Sequence, residues 1–177
     1  EPGLTDYWSQ SLLNLRSRLE TGKVEKRCDY SVRPKGTVSA SITIAKPRNE
    51  VFDTLILPEQ LDRFFADGAS VDPVVGGSIS FGWEFGGPMK ILEIDRANWI
   101  SYSWKIGEEP ETVVAWELED SGGGTRLMLV HSGFGEDTEV SHYDSGWNDY
   151  LVRMKGMLEQ GERWTAPVIE SVDWYVH

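Results

Sequence analysis

Cysteine is nearly missing from this chain: Cys28 is the only one in 177 residues. That excludes a disulfide framework and fits a reducing, cytoplasmic setting. Long apolar runs are missing too. None approaches the roughly 20 residues that span a bilayer, and no signal-peptide pattern opens the sequence. Basic side chains are few, 17 against 29 acidic, for a net charge of −12. This counts against a general binder of nucleic acid or anionic membrane. No G-x-S-x-G, H-E-x-x-H, C-x-x-C or Walker-type pattern occurs. Core formers are plentiful, however, at 40% hydrophobic with eight tryptophans, which excludes a disordered chain. The length suits one domain, or one domain plus an appendage, whose folding buries roughly 70% of the unfolded surface without a metal or disulfide staple.

The charge is uneven. Residues 1–36 hold five acids and seven bases, whereas residues 37–177 hold 24 acids and ten bases, a net of −14. Residues 23–36 lack clear periodicity and end in turn formers, so they read as a linker and the body begins near Thr37. A tail at 162–177 carries Trp164, Val168, Ile169, Trp174 and Tyr175, and such apolar residues pack on their own body or on a partner.

An internal echo lies at an offset of 139 residues. Trp8, Leu12, Leu19, Glu20 and Gly22 coincide with Trp147, Leu151, Leu158, Glu159 and Gly161, and Leu15 pairs conservatively with Met154. Both sets have helical spacing and close on a glycine suited to a left-handed helix end. Either two amphipathic helices are alike, or 1–22 is the closing helix of a preceding twin domain.

The body reads as one strand, two short helices, a run of strands, then one long helix. Thr37 to Ile44 alternates as a half-buried strand. Lys46-Pro47 opens a helix with Val51, Phe52, Leu55 and Ile56 on its apolar face, and Pro58 starts another with Leu61, Phe64 and Phe65 inward. Strand patterns follow over Ile79 to Phe85, Met89 to Asp95, Trp99 to Ile106, Thr112 to Glu119 and Thr125 to His131, the last two joined by the turn at Gly122-Gly123. A helix runs from about Val140 to Gln160. Elements segregated in this way predict an α+β domain with helices on one face of an antiparallel sheet. The space between sheet and long helix is where a pocket would form.

These residues also resemble a known family. Gly76-Gly77-Ser78-Ile79-Ser80-Phe81, Ser103-Trp104, the run from Gly124 through His131 to Phe134, and Gly146-Trp147 with Leu151, Met154, Lys155, Leu158 and Glu159 are similar to the SRPBCC superfamily. More narrowly they are similar to bacterial domains named for the activator of the 90-kDa heat-shock protein ATPase. The resemblance covers 37–161, and Trp8 to Gly22 resembles that family's last helix. It implies a helix-grip fold, a curved antiparallel sheet wrapped around a C-terminal helix and enclosing a cavity. Wider relatives use that cavity for hydrophobic molecules, a few are enzymes, and the eukaryotic namesakes stimulate a chaperone ATPase.

Within this frame Trp83, Phe85, Tyr102, Trp104, Trp116, Phe134, Trp147 and Tyr150 could all reach the space between sheet and helix, with Leu151 and Met154 on the helix face. They either fill the core or line a cavity. His131 belongs to the implied strand-end motif; its neighbours Leu127 and Leu129 suggest that it points inward, where its second nitrogen could contact a ligand. Together these eleven are the candidate ligand-binding residues. His131, His142 and Asp144 offer too few secure ligands for a metal. Glu117 and Glu119 share a strand face opposite Trp116 and Leu118, a solvated pair and not an acid–base pair. Cys28 has no nearby histidine. The expected function is therefore a non-catalytic binding domain for a small hydrophobic or aromatic molecule, without cofactor or metal. The alternative is a protein-interaction module, binding a chaperone or itself; a cyclase- or hydrolase-like activity is the weakest of the three.

Overall fold

The computed structural model describes Leu19 and residues 36–135 and 138–161. The predicted leading helix, the predicted linker with Cys28 and the tail with Trp164 and Trp174 lie outside the described residues, Leu19 and Gly36 excepted. Strand β1 (Thr37–Ile44) follows the predicted alternation, and Val38 and Ile44 at its ends are fully buried. Helix α1 (Arg48–Ile56) starts after Pro47, whose ring suits a helix start, and buries Val51, Phe52, Leu55 and Ile56. The one-turn helix α2 (Pro58–Leu61) begins at Pro58, which cannot donate the backbone bond that would have continued α1.

The remaining strands are β2 (Ser70–Val71), β3 (Ser78–Ser80), β4 (Met89–Asp95), β5 (Trp99–Trp104), β6 (Thr112–Ser121) and β7 (Gly124–Ser132). All pair antiparallel in one seven-stranded sheet of order β1-β7-β6-β5-β4-β3-β2. β6 and β7 are joined at Gly122 (φ 57°) and Gly123 (φ 92°), the two left-handed positions of a tight hairpin. Helix α3 (Ser141–Gln160) packs Trp147, Tyr150, Leu151, Met154 and Met157 into the core. Each such side chain contributes about 1.5–3 kcal/mol by leaving water.

Two bonds fasten the far end of α3 to the end of β1. Lys155 Nζ donates to the Thr43 carbonyl at 2.6 Å, and the Ala45 backbone N–H donates to Glu159 Oε1 at 2.7 Å. Lys155 Nζ also donates to that same carboxylate oxygen at 2.7 Å. Sheet and helix thus form the antiparallel sheet and C-terminal helix of the helix-grip fold that the resemblance implies.

The alternating pattern predicted over Ile79 to Phe85 is not one strand. Ile79 and Phe81 are buried as expected, but β3 stops at Ser80. Gly82 follows at φ 74°, where an added Cβ would stand 1.7 Å from the Asp67 carbonyl oxygen. The chain turns there, Trp83 becomes half-buried and Phe85 is 68% exposed.

Candidate functional site

The inner faces of β5, β6 and β7 present Tyr102 and Trp104, Trp116, and His131, because successive side chains on a strand alternate between faces. Helix α3 brings Trp147 and Tyr150 against them. Trp104 and Trp147 stand 5.0 Å apart between ring centroids, Trp116 and Trp147 5.6 Å, and Trp116 and Tyr150 5.2 Å. Phe81, Trp83 and the α2 neighbours Phe64 and Phe65 extend the cluster; Phe65 lies 4.7 Å from Trp83 and 4.3 Å from Tyr150. On the other flank Phe134 packs 4.4 Å from His131 and 4.7 Å from Tyr143. Most contacts are edge-to-face or tilted, the arrangement that the ring quadrupole favours.

The centre of this cluster is polar and ordered. Trp147 Nε1–H donates to His131 Nδ1 at 3.0 Å. An indole nitrogen can only donate, so Nδ1 is the unprotonated nitrogen and the neutral ring carries its proton on Nε2. That nitrogen lies 2.8 Å from Thr112 Oγ1 and donates to it, and the threonine hydroxyl donates onward to the Trp104 carbonyl at 3.2 Å. His131 is fully buried, and burial holds its pKa down to about 4. Both nitrogens are therefore engaged by the protein. The expectation that His131 keeps a nitrogen for a ligand is corrected: the indole of Trp147 occupies that place. Residue spacing could not show this, because Thr112 and Trp147 meet His131 only through the sheet register and the rotation of α3.

A second relay lies deeper, where Trp116 Nε1–H donates to Tyr102 Oη at 3.0 Å. Burial pushes the Tyr102 and Tyr150 phenols far above their ordinary value, so neither is an acid near neutral pH. At the rim, the Tyr143 hydroxyl donates to Glu109 in the β5–β6 loop; burial, followed by this bond and the nearby negative charge, raises the Tyr143 pKa.

Of the eleven predicted residues, nine form one body of side chains: Tyr102, Trp104, Trp116, His131, Trp147, Tyr150, Leu151 and Met154, with Trp83 at its edge. Phe134 joins through His131. Phe85 does not: it lines a separate surface recess of about 250 Å3 with Gly87, Pro88, Met89, Ser103, Lys105, Gly107 and Glu111. Another recess, about 230 Å3, is walled by Phe52, Ile56, Pro73, Ile94 and Arg96. The sequence reading missed Thr112, whose place at the start of β6 opposite Trp104 was the available sign. It also left out Phe65, the link from α2 to Tyr150. His142 is exposed and its ring packs on Tyr143, and Glu117 and Glu119 face solvent. No helix among the described residues is long and apolar enough to cross a membrane.

Residues 45–159 match the family described as Activator of Hsp90 ATPase homolog 1-like protein, and the chain belongs to that family. No curated protein matches the sequence. Among solved structures the chain is similar to the Aha1 dimer of Colwellia psychrerythraea, with 22% identity and a TM-score of 0.64 over 71% of this chain and 98% of that one. It is similar to protein MLL2253 of Mesorhizobium loti, with 21% identity and a TM-score of 0.62 over 70% and 97%. It also resembles DynU16, a protein of the dynemicin biosynthetic locus, with 24% identity and a TM-score of 0.64 over 72% of this chain and 49% of that one. At these identities the likeness is one of fold.

Proposed function

We propose that this member of the Activator of Hsp90 ATPase homolog 1-like family is a non-catalytic binding domain that holds a small hydrophobic or aromatic molecule between the sheet and α3. The observation that carries the reading is the gradient of the aromatic cluster. Its floor, Trp116 and Tyr150, is sealed, while Phe65, Trp83, Phe134 and Tyr143 at its margin are half-buried. The rings pack on one another at 4.3 to 6.5 Å between centroids, so this grip is closed. A ligand enters by taking the place of a marginal ring.

Trp83 is the ring best placed to yield. It sits outside any strand, between Gly82 and Gly86, and its neighbours Phe65 and Phe81 would close on a planar guest as they close on it. Helix α3, by contrast, is tied to β1 and to His131 and stays in place. Chemistry at this site lacks support, since His131 has both nitrogens engaged and the buried phenols hold their protons. The lone Cys28 supports a cytoplasmic setting.

Titration with a library of apolar aromatic compounds tests the reading through tryptophan fluorescence. Saturable quenching or a spectral shift is expected; a flat response across the library overturns it.

A protein-interaction role has one observation in its favour, the exposed Phe85 over its recess between Lys105 and Glu111. A rise in chaperone ATPase rate on adding the protein, or a light-scattering mass above 20.0 kDa, each lost in Phe85→Ser, would support it. No stimulation together with a monomeric mass would remove it.

A further inference from the structure

Trp104 is buried to within 6% of its surface, yet its Nε1–H has no hydrogen-bond partner. It is the one buried side-chain nitrogen or oxygen among the described residues left in that state. A buried donor without an acceptor is costly, and native interiors leave few. The rest of the cluster obeys that rule closely, since the Trp116 and Trp147 indoles both reach acceptors at 3.0 Å.

The polar atoms of the neighbouring relay bond one another instead. His131 Nδ1 takes the Trp147 proton, His131 Nε2 donates, and the Trp104 carbonyl receives the Thr112 hydroxyl. The Trp104 ring meanwhile packs 5.0 Å from Trp147, 6.0 Å from Phe81 and 6.0 Å from Trp83, the ring at the half-buried margin. Among the described residues, the buried ones include no lysine, arginine, aspartate or glutamate. A charged guest would therefore lose its hydration with no opposite charge to meet it.

Resting on the binding reading above, we infer that Trp104 Nε1–H is the polar anchor of the grip. The molecule it receives is uncharged, planar and apolar, and carries one hydrogen-bond acceptor such as a ketone or quinone oxygen. Trp83 gives up its place to the ring system, and the acceptor oxygen meets the indole N–H. Specificity then comes from a single bond inside an aromatic enclosure, a common division of labour in small-molecule sites.

The test uses the full chain and a matched pair of probes, 2-acetylnaphthalene and 2-ethylnaphthalene, which differ in one carbonyl oxygen. Their affinities are measured for the wild type and for Trp104→Phe, which keeps a ring and removes the N–H. The ratio of acetyl to ethyl affinity is expected to be at least about five-fold higher in the wild type, as for one net hydrogen bond. 2-Naphthoate is expected to bind more weakly than the ketone. Should Trp104→Phe fail to fold, the Trp104 indole proton of the wild type gives the same answer by NMR, moving downfield with the ketone and not with the hydrocarbon.

An unchanged ratio with both probes bound, or the same indole shift with either probe, overturns the anchor and leaves the binding reading standing. Tighter binding of naphthoate overturns the uncharged class. If neither neutral probe binds, the binding reading falls and takes the anchor with it.

Discussion

Trp147 and His131 are joined by a single hydrogen bond of 3.0 Å from the indole N–H of α3 to the unprotonated Nδ1 of β7. That bond sets the histidine tautomer, and the tautomer in turn sets the direction of the bond to Thr112. Helix and sheet are thus held in register here by a buried polar contact, in addition to the two bonds at the far end of α3.

Replacing Trp147 by Phe keeps an aromatic ring there but leaves His131 Nδ1 buried without a donor. A loss of about 2–3 kcal/mol is expected in urea unfolding, from the orphaned acceptor and the reduced packing. Trp99→Phe removes an indole bond of equal length, to Glu93 at an exposed site, and is expected to cost no more than about 1 kcal/mol. Equal losses would show that the interior relay contributes nothing special.

The buried imidazole makes stability depend on pH in a definite direction. Its folded pKa of about 4 lies below the ordinary 6.5, so the unfolded chain binds the extra proton between those values. The contribution is complete above about pH 6.5, declines as pH falls, and is lost by pH 4, about 3 kcal/mol in all. An NMR titration of the His131 ring should give a midpoint near 4 in the folded protein. A midpoint above 6 would contradict the sealed, doubly engaged ring.

Gly82 ends β3 and aims Trp83 at the cluster. Gly82→Ala would force a Cβ against the Asp67 carbonyl at a left-handed φ, and a loss above about 3 kcal/mol is expected. Gly87→Ala, where an added Cβ meets nothing within 4 Å, should stay within about 0.5 kcal/mol. Thermal melts of the two variants decide between a structural glycine and mere flexibility.

Phe85 is expected to be dispensable for folding. Phe85→Ser should change stability by less than about 0.5 kcal/mol, because the ring is already mostly in water. A loss near that of a core aromatic, about 3 kcal/mol, would mean that the recess is part of the domain's own packing.

Regular periodicity made most of the fold legible. The β1 alternation from Val38 to Ile44, the two prolines that start α1 and α2, the Gly122-Gly123 hairpin and the Trp147-to-Leu158 stripe each follow a local rule, and each lies where that rule puts it. Phe85 shows where the reasoning broke. Ile79, Phe81, Trp83 and Phe85 alternate like a strand, but the chain reverses at Gly82 because the Asp67 backbone crowds it, a neighbour 15 residues distant that no spacing announces. The inward set was likewise readable as a set, from alternation on β5, β6 and β7. Its wiring was not. Which nitrogen of His131 is taken depends on Thr112 and Trp147, 19 and 16 residues away and on two different elements.

The most direct test of the proposed binding role is a two-dimensional NMR spectrum of the indole N–H groups, recorded with and without saturating 2-acetylnaphthalene. Ligand held between sheet and helix should shift the Trp83, Trp104 and Trp147 resonances and leave Trp99, bonded to Glu93 at an exposed site, unmoved. Indole resonances that all stay in place, or movement confined to backbone amides around Phe85 and Lys105, would contradict it.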